Sequence, residues 1–550
     1  MDYYSLAKEA RFIKEKLEGA VFVRAQQGER GISIRLKKTP FPFLNIVLDA
    51  DYACFFLSKE PLFKGAGHLS SLMERHIKNA RLVDFSHPKG ERVFVWRLLY
   101  ESFTGQKMEY SLIFEVLGKQ SNLILCQGER ILDAWRRKEG GLEERSIMPA
   151  RTYFPPEPAK GEFLLDVERE RFFDVLSREG TKGIQKHFFP VPRFLAKELE
   201  SRVGKDPVSS PDELLAAWSA FCELKDELLS PLLWRQDKRI YPFKRGEDSL
   251  ETNNALSLWV PELLTLKEIE SRKSSLRSVI SARIKRLTRL KKQLEEEAEG
   301  AKDYEKYRLW AETILINLNR IQPKEGEVTL ENPYQPGELL RIPLDADAKP
   351  SQTAQRYFAL YSKLKNKHQH TLNRIAQIQQ ELDFLEELLW QVEEALDAET
   401  LEDIEELLVS EGYLQKKKRE KRKPAREPSH LKLDIEGFRV LVGKNSRANE
   451  YVTFKLADKN DLWFHVKGYP GSHVVVKGKR IPESVIEKAA SLAAYFSRAR
   501  NSSKVDVDYT RIKYVKRMKP ARPGAVYYTN YSTITVEPKA PEEVADGKEG

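Results

Sequence analysis

Few clusters in this chain of 550 residues could do chemistry. His465 and His473 lie close in sequence, beside Trp463 and Gly471. Two histidines can begin a zinc site, but zinc takes four ligands at set spacings. No third or fourth ligand stands nearby, and Cys54, Cys126 and Cys222 are too scattered for a metal or disulfide framework. The histidines therefore read in two ways, as hydrogen-bonded members of strands or as RNA contacts through ring donors and stacking. Trp463 reads as core. Just upstream, Lys444, Asn445, Arg447 and Asn449 crowd donors into a short turn. Arg and Lys suit phosphates, and Asn suits a base edge or ribose hydroxyl. An ordinary polar turn would look the same, but more cations follow: Lys455, Lys467, Lys477, Lys479, Arg480, Arg511, Lys513, Lys516 and Arg517. Pro470-Gly471-Ser472 lacks the Gly-Lys-Ser/Thr ending of a nucleotide loop, so ATP is not expected. With no nucleophile–base pair and no metal cluster, the sequence points to a binding protein without an active site or cofactor of its own.

Composition agrees with a polyanionic partner. A formal charge of +10 and a pI near 9.1 favour nucleic acid or an anionic surface. The hydrophobic share of 41% is enough for packed cores. Met1 to Glu9 mixes charges where a secretory signal needs an apolar core, and no apolar run is long enough to span a bilayer. The expectation is a cytoplasmic protein without a membrane partner.

The elements that would position these clusters fall into a multidomain α+β chain. Residues 1–158 read as an α+β domain, with a helix from Leu6 to Leu17 and strands at Ile32–Leu36 and Val93–Trp96. Residues 159–240 read as short helices, one over Phe194–Leu199 and another started by Ser209-Ser210-Pro211-Asp212-Glu213. Ile269, Leu276, Ile280, Leu287, Leu290 and Leu294 share one heptad frame, interrupted by Lys273 and Arg283. Ile375, Ile378, Leu382, Leu385, Leu389, Val392 and Leu396 repeat the three–four spacing. Over 262–412 this predicts two long helices folded back as an antiparallel coiled-coil arm, with a small insertion near 323–350. Pairing of each seam with another copy of the chain is the alternative. A basic linker, Lys416 to Pro424 within 413–429, precedes an α+β domain at 430–540, with strands Leu431–Ile435, Phe438–Val442 and Val474–Val476 and a helix Pro482–Arg500. Residues 541–550 read as a frayed tail.

The last domain carries a long ordered string: Val442-Gly443-Lys444-Asn445-Ser446-Arg447-Ala448-Asn449-Glu450, then Asp461-Leu462-Trp463-Phe464-His465-Val466-Lys467, then Pro470-Gly471-Ser472-His473-Val474-Val475. It continues through Ala493-Ala494-Tyr495-Phe496-Ser497 and Val507-Asp508-Tyr509-Thr510. This string resembles the RNA-binding domain of the NFACT family. Ile342-Pro343-Leu344-Asp345, Ala354-Gln355-Arg356-Tyr357-Phe358 and Phe114 to Leu125 are collinear with that family's insertion, coiled-coil re-entry and N-terminal domain.

The resemblance implies a glycosylase-like N-terminal domain, a helix-hairpin-helix domain, the arm and the RNA-binding domain. It implies a ribosome-associated quality-control factor that holds tRNA on obstructed large subunits and promotes untemplated tailing of the stalled peptidyl-tRNA's nascent chain. Alanine tRNA is the expected tRNA, and the ribosome itself would form the peptide bonds. The residues it assigns to tRNA are Asp2, Glu91, Arg92, Glu115 and Lys119. It assigns to RNA Lys444, Asn445, Arg447, Asn449, Lys455, His465, Lys467, Ser472, His473 and Lys477. Two positions depart from the family pattern: Glu91-Arg92 stands for the usual Asp-Arg, and Asp2-Tyr3 for Asp-Gly. A relative that has lost tailing is one alternative. A fibronectin-binding surface adhesin is another, disfavoured by the charged amino terminus. A DNA-repair lyase is disfavoured because that class uses an N-terminal proline and this chain starts Met1-Asp2.

Overall fold

The computed structural model describes residues 1–140, 145–300, 302–321, 326–415, 427–518, 523–544 and the backbone of 547–548. Two compact units are present, Met1–Leu266 and Lys267–Gly550. The expected basic run Lys416–Pro424 lies outside the described residues.

The first unit opens with helix α1 (Tyr3–Lys16), which starts where Asp2 accepts from the Ser5 amide at 3.0 Å. Four strands follow, β1 (Val21–Gln27), β2 (Gly31–Lys37), β3 (Phe43–Val47) and β4 (Cys54–Ser58). Helix α2 (His68–Ile77) leads to β5 (Arg81–Ser86), β6 (Val93–Glu101), β7 (Lys107–Glu115), β8 (Asn122–Gln127) and β9 (Arg130–Ala134). Together they make one sheet in the order β4-β3-β2-β1-β5-β6-β7-β8-β9. Every neighbour pair is antiparallel, so the sheet is two meanders joined where β1 meets β5. One face carries the core: Phe55 lies 4.7 Å from Phe94 and 5.3 Å from Trp96 between ring centres. Ile32 and Ile34 point into that core, while Arg35 and Lys37 on the same strand are exposed. Period-two alternation of this kind is what a half-buried strand requires.

Between β10 (Glu162–Phe163) and β11 (Phe188–Phe189), a parallel pair, runs α3 (Arg169–His187). It is two helices joined at Gly180, whose φ is +63° and whose Cβ, if present, would sit 2.6 Å from the Lys205 carbonyl oxygen. Glycine is demanded there by both conformation and space. Helices α4 (Arg193–Val203) and α5 (Pro211–Leu229) complete a helical core with Phe172 stacked on Phe221. Ser210 sits at the N-cap of α5 but makes no side-chain cap bond; Asp212 and Glu213 supply the first-turn acids. Across the expected boundary at 240 lies a small sheet instead: β12 (Leu232–Gln236), β13 (Arg239–Tyr241) and β14 (Asp248–Glu251). These strands are too short to show a period in the sequence.

Helix α6 (Thr252–Gly300) begins in the first unit, where Trp259 and Leu263 join the core, and continues into the second. There it is followed by α7 (Tyr304–Ile316), the hairpin β15 (Glu327–Glu331) and β16 (Leu339–Pro343), and α8 (Pro350–Glu394). The hairpin packs with α7 and the start of α8 in a separate small core around Ile314, Ile342 and Ala354. Along α6 and α8, Ile269, Leu276, Ile280 and Leu287 share one core with Ile378, Leu382, Leu385 and Val392. Arg277 pairs with Glu393 at 2.6 Å, Arg283 with Glu381 at 2.7 Å, and Lys291 donates to Gln379 at 2.8 Å. Rising numbers on one helix meet falling numbers on the other, so the pair is antiparallel and lies within one chain. The seam differs from expectation at its end. Helix α8 stops at Glu394, and Leu396 is 87% exposed. A third helix, α9 (Ala398–Ser410), turns back and adds Leu401, Ile404, Leu407 and Leu408 to the core.

The rest of the second unit is β17 (His430–Ile435), β18 (Phe438–Gly443), α10 (Ser446–Tyr451), β19 (Leu462–Val466), β20 (Val474–Val476), α11 (Glu483–Tyr495) and β21 (Val505–Arg511). A two-stranded pair, β22 (Val515–Arg517) and β23 (Val526–Tyr528), and the strand β24 (Ser532–Val536) follow. Helix α11 ends well before Arg500, and its buried face is Ala489, Ala490, Ala493 and Ala494. The expected frayed tail instead holds α12 (Pro541–Val544), with Val544 buried, and β25 (Gly547–Lys548) on the sheet edge. The sheet order is β24-β21-β19-β20-β18-β17-β25.

Candidate RNA interface

The segment Val442 to Glu450 turns out to be a clamp. Strand β18 ends at Gly443, where a Cβ would lie 2.7 Å from the Asn449 backbone nitrogen, so α10 can cross only against glycine. Asn445 caps α10 by accepting from the Ala448 amide at 2.9 Å, and its Nδ2 donates to Asp403 at 3.2 Å. Asn449 is buried; it donates to the Gly471 carbonyl at 3.1 Å and accepts from the His473 amide at 2.9 Å. Lys444 pairs with Asp397 at 3.0 Å, and Arg447 with Glu406. In the folded chain Lys444, Asn445 and Arg447 thus donate to carboxylates at the start of α9 or on it, and Asn449 donates to a backbone carbonyl. Ser472 and His473 are also buried. Replacing Asn449 with Ala strands two buried backbone groups at about 1–3 kcal/mol each. The expected result is a fall of several degrees in thermal midpoint, measurable by differential scanning fluorimetry before any RNA is added.

The histidines belong to the same interior. His473 Nδ1 lies 2.8 Å from Thr453 Oγ1, His465 stacks on Trp463 at 5.8 Å, and the two imidazoles meet edge-on at 5.4 Å. Burial pushes His465 down to about 4 and His473 well below its ordinary value. Among the described residues no group of three His, Cys, Asp or Glu could hold a metal. Both rings are neutral in the folded state and would accept a proton near 6.5 once unfolded. Their stabilisation is therefore complete above pH 6.5 and is lost as pH falls toward 4. The loss is up to about 1.4 kcal/mol per pH unit per ring. Between pH 6.5 and 4.5 the thermal midpoint of a His465→Gln/His473→Gln variant should fall less than that of the unaltered chain.

Among the described residues, a cluster open to solvent lies at one end of the sheet. Arg511 donates to the carbonyls of Asn460, Gly478 and Lys479, the last at 2.8 Å, and so holds two loops together. The Lys513 amide donates to Lys459 O at 3.2 Å. Those loops present Lys459, Lys479, Arg480 and Lys513, all exposed. Lys477 lies beneath them, bonded to Asp458 at 2.7 Å and Asp461 at 2.9 Å. Burial would lower its pKa, but the two carboxylates outweigh burial and hold it above the ordinary lysine value. It is thus occupied, not presented. Lys455 and Lys467 are exposed, Lys467 in the turn after β19. Sequence spacing gives no sign of Lys459; only the fold brings it beside Lys513. Such a surface can neutralise phosphates.

The first unit places its assigned residues unevenly. Arg92 is half-buried, and its carbonyl accepts from Val116 at 2.9 Å. Burial, and with it the Arg92 charge, lowers the pKa of the Met1 amino group, which donates to Asp51 O at 3.1 Å. Asp2, Arg92 and the turn bearing exposed Lys119 thus gather at one end of the nine-stranded sheet. Asp2 is committed to the cap of α1, and Glu91 accepts from the Ala159 amide at 2.7 Å. Glu115 is 1% exposed and bonded to Arg145 and to the Tyr153 hydroxyl at 2.8 Å.

Residues 5–427 match the model of the NFACT N-terminal and middle domains, and 430–530 match the NFACT protein RNA binding domain. The chain is 30% identical over 491 residues to the Bacillus subtilis protein named Rqc2 homolog RqcH, covering 85% of each. It is 29% identical to the protein of that name from Streptococcus suis, covering 85% of this chain and 84% of that one. The solved C-terminal part of the fibronectin/fibrinogen-binding protein from Streptococcus suis shares 27% identity, with a TM-score of 0.41, over 51% of this chain and 99% of that one. No helix among the described residues is long and apolar enough to cross a membrane. The chain belongs to the NFACT family.

Proposed function

We propose that this chain is a ribosome-associated quality-control factor that binds obstructed large ribosomal subunits and tRNA and promotes untemplated, alanine-type tailing of stalled nascent chains. The observation that carries the reading is the match of both family segments across nearly the whole chain, together with relatives named Rqc2 homolog RqcH. The exposed Lys459, Lys479, Arg480 and Lys513 give the RNA-binding domain a surface for ribosomal RNA. The antiparallel pair α6/α8 serves as a coiled-coil arm. Arg92 and Lys119 contact tRNA, and Glu91 orients the loop beside Arg92. The ribosome supplies the chemistry, and the work takes place in the cytoplasm. The test is to recover the tagged chain from cells and sequence the RNA bound to it. Enrichment of large-subunit RNA and tRNA is expected; recovery of neither would remove the reading.

A further inference from the structure

Neighbouring domains swing against each other unless a broad apolar interface holds them. The arm's base and the RNA-binding domain keep separate apolar cores, and among the described residues no side chain belongs to both. What joins them is polar. Gln391 of α8 holds Ser446 twice: its Oε1 accepts from the Ser446 amide at 3.1 Å, and its Nε2 donates to the Ser446 hydroxyl at 2.8 Å. Glu387, one turn back on α8, accepts from Gln391 Nε2 at 3.0 Å and from the same hydroxyl at 3.2 Å. Asp403 of α9 uses one oxygen for two donors, the Ser429 amide at 2.8 Å and Asn445 Nδ2 at 3.2 Å. Gln391, Asp403, Asn445 and Ser446 are all buried. Around this centre stand partly exposed ion pairs: Lys444 with Asp397 at 3.0 Å, Arg447 with Glu406, and Arg500 with Glu394 at 3.1 Å. Three segments of the domain are thus tied to α8, α9 and the turn between them: Ser429 before β17, the turn 444–447, and Arg500 beyond α11. Contact at one segment would leave a hinge, whereas contact at three removes it. A buried polar group tolerates only a matching partner, so a satisfied network of this kind selects one orientation. Two surfaces held at a fixed spacing also engage one large partner together, which multiplies their affinities.

We propose that Glu387, Gln391 and Asp403 are positioning residues: through Ser446, Asn445 and Ser429 they lock the RNA-binding domain to the base of the arm, so that both meet the large subunit as one body. The partner rests on the ribosomal reading; the lock itself does not. The test uses the full chain with Cys222→Ser, which removes the partly exposed thiol, and spin labels on Gln377→Cys of α8 and Glu487→Cys of α11, both exposed positions. Pulsed electron resonance then reads the distance distribution between the labels. The intact lock is expected to give one narrow distribution. Gln391→Ala/Asp403→Ala is expected to broaden it, to leave affinity for a short RNA hairpin unchanged, and to lower affinity for purified large subunits by about tenfold or more. Asp403→Asn keeps an oxygen for both the Ser429 amide and Asn445, and is expected to keep the narrow distribution and the subunit affinity. Should the Ala variant not fold, Glu394→Arg/Glu406→Arg sets like charges against Arg500 and Arg447 at partly exposed positions, and is expected to broaden the distribution in the same way. A distribution already broad in the intact chain, or narrow in every folded variant, overturns the proposal. So does a broadened distribution with subunit affinity unchanged. Tighter hairpin binding by the loosened chain also overturns it, since α9 would then be a mask over the turn and not a lock. No subunit binding by the intact chain, alongside a narrow distribution, counts against the ribosomal reading and leaves the lock standing.

Discussion

Replacing Arg92 with Ala should reduce the tRNA recovered with large-subunit complexes by an order of magnitude or more, while association with the subunit persists. Arg92 is half-buried just before β6 with no side-chain partner among the described residues, whereas Asp2, Glu91 and Glu115 are engaged within the fold. A hydrogen bond to a charged group contributes about 1.5–3 kcal/mol, and the lower end of that range is already tenfold. Broad contacts elsewhere on the chain would not depend on one side chain. Glu91→Asp should keep or raise tRNA recovery, because it restores the family's usual pair. The measurement is tRNA in purified large-subunit complexes from the unaltered chain and both variants. Undiminished recovery with Arg92→Ala would mean that the assigned contact is wrong.

Leu385→Asp combined with Ile280→Asp should unfold the antiparallel helix pair. Both side chains are within 1% of full burial in the core that α6, α8 and α9 share. Truncating one such side chain costs about 2–5 kcal/mol through reduced burial and a cavity. A carboxylate adds the cost of placing a charge in an apolar seam with no partner. The expected result is a large loss of helical signal in circular dichroism and a lowered unfolding midpoint. Arg277→Gln, which disturbs only an exposed ion pair, should change stability by about 1 kcal/mol or less. Retained helicity in the double Asp variant would show that the seam does not hold the pair.

Much of the arm is readable from residue spacing alone, for a physical reason. Heptad spacing records which side of a helix is dry, and Ile378, Leu382, Leu385 and Val392 do lie on that side. The same stretch also holds Phe384 and Leu388, a second apolar stripe that a two-helix seam does not need. That surplus is the legible trace of α9, which covers it. Leu396 keeps the period but not the helix, because Asp397 caps α9 and the chain must turn before it. The binding residues are harder to read. Polar type and spacing cannot tell a donor aimed at phosphate from one aimed at a buried carbonyl. Asn449 and Lys444 look alike in sequence, yet one bridges two backbone groups inside the domain and the other pairs with Asp397. Cations such as Lys37 and Arg81 lie far apart along the chain, and only strand register puts them in one row, on either side of Val21.

The central claim is that this chain works on the large ribosomal subunit. A sucrose gradient of cell lysate, probed for the tagged chain, tests it most directly. The expected result is a peak co-migrating with large subunits that is depleted when subunits are stripped in high salt. A chain found only at the top of the gradient under low salt would contradict it.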